Sequence, residues 1–80
     1  MIKILVDVML KPEILDPQGQ AVANALPNLG YAPPVELRIG RHVELSLEAA
    51  DADAALEQAT KIADTLLSNP VIEDYAVRLA

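Results

Sequence analysis

The stretch Val35-Glu36-Leu37-Arg38-Ile39-Gly40-Arg41-His42-Val43-Glu44-Leu45-Ser46-Leu47 lies at the middle of the 80-residue chain, and its reading decides the fold. In an extended backbone Val35, Leu37, Ile39, Val43, Leu45 and Leu47 fall on one side, and Glu36, Arg38, Glu44, Ser46 and Glu48 on the other. Gly40-Arg41-His42 interrupts the alternation. A three-residue turn there makes a hairpin that sets Ile39 against Val43, Leu37 against Leu45 and Arg38 against Glu44, so each cross-strand pair matches in character. A two-residue turn sets Leu37 against Glu44 and Ile39 against His42, which puts charge into the apolar layer. A third path keeps the same parity: the chain runs straight through a bend at Gly40 as one long strand. That path carries the second half of the chain onto a neighbouring molecule. The residues leave the paths open.

Outward from this centre, Ile2, Ile4, Val6, Val8 and Leu10 alternate with Lys3, Leu5, Asp7, Met9 and Lys11, a strand with one core face. Its other face is mixed, since Leu5 and Met9 are more apolar than a solvated face requires. Asp16-Pro17 opens a helix, the acid as N-cap and the proline at the first position. Val22, Ala25, Leu26 and Leu29 continue it at helical spacing. Gln18 and Gly19 sit in its first turn, where free N–H groups either hold an anion or are satisfied by the cap. Pro27 forces a kink or a tighter final turn closed by a left-handed Gly30. Tyr31 to Pro34 reads as a stiff loop.

On the other side Asp51 caps a second helix with Asp53 in its first turn. Ala55, Leu56, Ala59, Ile62, Ala63, Leu66 and Leu67 make its apolar stripe. Ser68-Asn69-Pro70 stops it, the asparagine being tolerant of a left-handed backbone. Val71 to Leu79 reads as a last strand with Tyr75, Val77 and Leu79 on one side. The order βαββαβ predicts an α+β single domain over 1–80. The expected plan is a four-stranded antiparallel sheet with two helices on one face, a ferredoxin-like arrangement.

A chain this short buries only roughly 60 to 65% of the surface its unfolded form exposes, so a lone core is marginal and association with other chains is expected. Cysteine is absent, which removes disulfides, thiolate nucleophiles and cysteine metal sites. The formal charge of −6 disfavours nucleic acid and anionic membranes as partners. Tyr31 and Tyr75 are the only aromatics, too few to stack bases. The Met1 to Ile4 start leads directly into a strand and has no long apolar run, which makes a cytoplasmic protein the expectation.

The element order serves many functions, so chemistry must come from the site. A metal carrier on this plan needs paired cysteines. An acyl-phosphate hydrolase needs an arginine in a glycine cradle after the first strand, where this chain has Lys11-Pro12-Glu13-Ile14-Leu15. RNA binding needs aromatics where Arg38, Glu44 and Ser46 stand, and an amino-acid sensor needs an early glycine turn, whereas the first glycine is Gly19. His42 is the single imidazole and reads as an exposed polar residue, although acid–base chemistry near neutrality would have to use it or a shifted carboxylate. Glu73-Asp74 is the nearest carboxylate pair and has no basic neighbour in sequence. No catalytic, cofactor or metal residue is assigned.

Several segments resemble the PurS family, the small subunit of phosphoribosylformylglycinamidine synthase. They are Leu15-Asp16-Pro17-Gln18-Gly19, Ala25-Leu26 with Leu29-Gly30-Tyr31, Leu37-Arg38-Ile39-Gly40-Arg41 with Glu44-Leu45, and the run from Leu66 to Tyr75. The resemblance implies a non-catalytic homo-oligomer, dimer or tetramer, with segments open to exchange. It implies a bridge in purine biosynthesis between a PurL-type synthetase subunit, which uses ATP and magnesium, and a PurQ-type glutaminase subunit, with support for ammonia transfer. The expected interface residues are Leu5, Met9, Arg38, Arg41, Glu44 and Tyr75. A free-standing regulatory domain that binds a small ligand is the alternative.

Overall fold

The structure is a computed structural model, and it describes residues 1–32 and 36–80. The expected start of a strand at Val35 and the Pro33-Pro34 part of the loop lie outside the described residues. Strand β1 (Ile2–Leu10) is the middle of a three-stranded antiparallel sheet, flanked by β2 (Arg41–Leu47) and β3 (Glu73–Leu79). The register sets Val6 between Val43 and Val77, and Ile4 between Leu45 and Leu79. The even-numbered face of β1 is therefore the core, with Ile4, Val6 and Val8 at most 1% exposed.

Helix α2 (Ala52–Ile62) covers that face through Ala55 and Ala59, and Ala63 follows just after it. Small side chains at this spacing let the helix axis approach the sheet closely. Asp51 caps it as expected, accepting from the Ala54 N–H at 2.8 Å. Its end is not the simple stop expected: Ala63–Leu67 widen into a π-type turn, in which the Ser68 N–H and Oγ–H both donate to the Ala63 carbonyl, at 3.0 and 2.9 Å. The extra residue in that turn breaks the apolar stripe. Leu66 is turned out to 79% exposure while Leu67 stays against the core. Asn69 is not left-handed, since among the described residues only glycine has a positive φ. It instead folds the backbone by accepting the Val71 N–H on Oδ1 at 3.1 Å. Val71 is exposed in this turn, and β3 starts two residues later.

Helix α1 (Pro17–Ala25) begins on the Asp16 cap, with Pro17 at its start. Pro27 acts as expected, and the chain tightens into a 3₁₀ turn at Leu26–Leu29 that Gly30 closes at φ 93°.

The four-stranded sheet and the hairpin are not formed. Residues 36–40 make no strand, and the sheet of the described residues has three strands. Neither the hairpin nor one long strand through Gly40 is seen: residues 36–40 pair with no strand, and the Ile39 N–H is taken by Asp16 at 2.8 Å. Nor do both helices lie on one face. Helix α2 rests on β1 and β3, whereas α1 packs appreciably only against its own 3₁₀ turn. The radius of gyration of 16.1 Å exceeds the about 12 Å of a compact chain this long, and the long axis is 51 Å. A sheet with one helix carries a projecting arm.

Candidate functional site

The arm is apolar where it meets no part of its own chain. Val22 is 44% exposed, Leu15 67%, Leu29 72% and Tyr31 61%. On the sheet the complementary deficit appears. Val43, Leu45 and Leu47 of β2 pack on the core but remain half-buried, because α2 leaves β2 largely uncovered. The outer edge of β2 has no neighbouring strand among the described residues.

The root of the arm is heavily bonded. Asp16 accepts from the Gly19 N–H on Oδ1 at 2.9 Å and from the Ile39 N–H on Oδ2 at 2.8 Å, and these two bonds hold its carboxyl below the usual carboxylate value. In the first turn the Gly19 N–H is thus taken by the cap carboxylate and the Gln20 N–H by the Asp16 carbonyl. Gly19 is buried, and a Cβ there would meet Asp16 and, at 2.9 Å, the Leu37 carbonyl. Arg38 donates to the Leu10 carbonyl. Arg41 donates to the Leu67 carbonyl at 2.8 Å and to Glu73 at 3.1 Å. Glu73 also accepts from the Asn69 N–H at 2.7 Å, so this acid, isolated in sequence, is partnered in the fold. Beside the root lies an open groove of about 600 Å³ bordered by Leu15, Gln20, Leu37 and Arg38.

The third surface is the outer face of the sheet. Leu5 lies between Glu44 and Arg78, and Asp7 between His42 and Ala76. His42 Nδ1 is 2.6 Å from Asp7 Oδ1, and Arg78 reaches Oδ2 of the same carboxylate. His42 and then Arg78 lower the Asp7 pKa. Lys3 pairs with Glu44 at 3.4 Å and Lys11 with Asp74 at 2.9 Å, the latter raising the Lys11 pKa. Glu44 is therefore not paired with Arg38.

The six residues expected at an interface are thus scattered. Leu5, Met9 and Glu44 share the outer face. Arg38 is at the arm root, and Arg41 stands opposite Val8, on the core side of the sheet. Tyr75 is also core-side, its hydroxyl 3.5 Å from Asp64. Sequence reasoning missed the Asp7–His42–Arg78 trio, which only the two registers of β1 bring together. It also missed the Asp16–Ile39 bond, for which the acid at an N-cap gave half the signal. Among the described residues no cluster of three or more His, Asp or Glu is arranged to hold a metal, and no helix is long and apolar enough to cross a membrane.

The profile of the PurS family, described as phosphoribosylformylglycinamidine (FGAM) synthase, matches residues 3–80. The PurS subunit of Mycobacterium leprae FGAM synthase is 44% identical over 77 residues, 96% of this chain and 94% of that one. The crystal form of Bacillus subtilis PurS has a TM-score of 0.85 at 40% identity, covering 100% of this chain and 99% of the other. The structure of PurLQS from Thermotoga maritima contains a chain with a TM-score of 0.88 at 33% identity, covering 99% and 96%.

Proposed function

The chain belongs to the PurS family, and on that premise we propose that it serves FGAM synthase as a two-copy connector whose protomers exchange their arms. FGAM synthase acts in purine biosynthesis, and the assembly named PurLQS supplies the partner classes: a PurL-type synthetase and a PurQ-type glutaminase. The observation that carries the reading is the matched pair of deficits. Among the described residues each protomer has an arm with a bare apolar face and a sheet with an uncovered flank and an open edge. Two-fold exchange satisfies both. The partner's α1 lies beside α2, and the partner's 36–39 segment lines the edge of β2, which restores locally the four-stranded, two-helix unit expected from the sequence.

A connector of this kind has a physical reason. Ammonia released from glutamine becomes ammonium in neutral water and diffuses away, so the two active sites must be held in one enclosed assembly. The outer sheet face, with Leu5, Met9 and Glu44, remains open after exchange and is the surface offered to a larger subunit. ATP and magnesium belong to the synthetase partner, and the assembly works in the cytoplasm.

Sedimentation of the purified chain tests the reading, with a mass of twice 8.6 kDa expected. Leu29→Asp should yield monomer and abolish glutamine-dependent synthesis when mixed with the two larger subunits. A wild-type monomer in the active complex would sink the exchange. Thermal stabilisation by nucleotides or amino acids, without the larger subunits, would favour a ligand-binding domain instead.

A further inference from the structure

The arm joins the sheet by two limbs, the outgoing chain after Leu10 and the incoming chain before Arg41. Two limbs without cross-bonds would form a hinge, and here they are tied reciprocally. Asp16 on the outgoing limb accepts the N–H of Ile39 on the incoming one, 23 residues away, and Arg38 on the incoming limb donates to the carbonyl of Leu10 on the outgoing one. Steric contact completes the joint. Gly19 is packed against Leu37 O, and a side chain at Gly40 would run into the Val8 carbonyl and Met9.

We propose that Asp16, braced by Arg38, is a positioning residue: its carboxylate fixes the direction in which the arm leaves the sheet, and so the angle between the two sheets of the connector. This rests on the exchanged dimer. In such a dimer each arm is also the link to the other sheet, so an angle set at the root is transmitted to the spacing of the surfaces that hold the larger subunits. The bridge needs both carboxylate oxygens, one for each N–H. Serine and asparagine keep the helix cap but offer one acceptor oxygen, which separates capping from bracing.

The test uses Asp16→Ser and Asp16→Asn in the reconstituted three-part enzyme. Both variants are expected to remain dimers with a melting temperature near that of the wild type. Their small-angle scattering should show a broadened distribution of inter-sheet distances, and the glutamine hydrolysed per product formed should rise severalfold. Arg38→Gln should move the same two readouts in the same direction. Dimeric variants with wild-type scattering and an unchanged hydrolysis ratio would overturn the positioning role while leaving the exchange intact. Variants that fall to monomer would also overturn it, in favour of a role in association. A wild-type chain that is itself monomeric would remove the exchange and this proposal together.

Discussion

Gly40 is where a single hydrogen atom in place of a side chain decides the path of the chain. A methyl group there meets the Val8 carbonyl, part of the backbone of the central strand, which has no room to yield. Gly40→Ala should therefore cost about 2 kcal/mol or more in urea unfolding, within the range of overpacked sites. Asp7 gives a pH signature. Its pKa is lowered in the folded state by His42 and Arg78, so its contribution is present above the ordinary carboxylate value of 3.8 and is lost as pH falls through the lower folded value. Asp7→Asn should flatten the stability profile below about pH 4 and lower the plateau above it, read from melting temperatures across the acid range. Asp7 was visible in the sequence only as one polar member of the mixed face of the first strand. Its two partners lie 35 and 71 residues away, and only register supplies them.

At the scale of elements, local chemistry made most of the fold legible. The alternation of β1, the Asp16 and Asp51 caps and the Pro27 to Gly30 closure each depend on neighbours within one turn or one strand face, and each is found where expected. The π-type turn at Ala63–Leu67 was not legible, because the stripe from Ala55 to Leu67 is consistent with unbroken helical spacing. It has a measurable consequence. Leu66→Ala should change stability by less than about 0.5 kcal/mol, whereas Leu67→Ala, one residue on, should cost roughly 1 to 2 kcal/mol by chemical denaturation. Equal effects would mean that the stripe runs on as a plain helix. Asp51→Ala should cost about 1 kcal/mol by the same assay through loss of the α2 cap.

At the scale of the molecule, sequence left the path at Gly40 open beside the oligomer number, and for the path the reason is physical. Both the hairpin and the straight course bury the same apolar parity. What separates them is the partner of the Ile39 N–H and the steric contact of Gly40, neither of which is local. Of the residues expected at an interface, Leu5 and Met9 stood out by composition, while the employment of Arg38 and Arg41 inside the chain required the folded arm root. The elongated shape also bears on charge. The outer-face and edge cations Lys3, Lys11 and Arg78 are matched by Glu44, Asp74 and Asp7, so the formal −6 is the net of the charged residues elsewhere on the chain. A synthetase or glutaminase subunit meeting the outer sheet face therefore meets paired charge, and its affinity should depend only weakly on salt, which titration at two ionic strengths measures.

The unmatched rim of β2 has one last effect. A chain whose native contacts are completed by another molecule obeys mass action, so its melting temperature should climb with protein concentration and fall on dilution. On the exchanged dimer proposed above, a cell that makes this chain faster than copies can find one another would carry a population with open strand edges exposed to stacking and to proteases. Expression level would then enter the folding equilibrium itself.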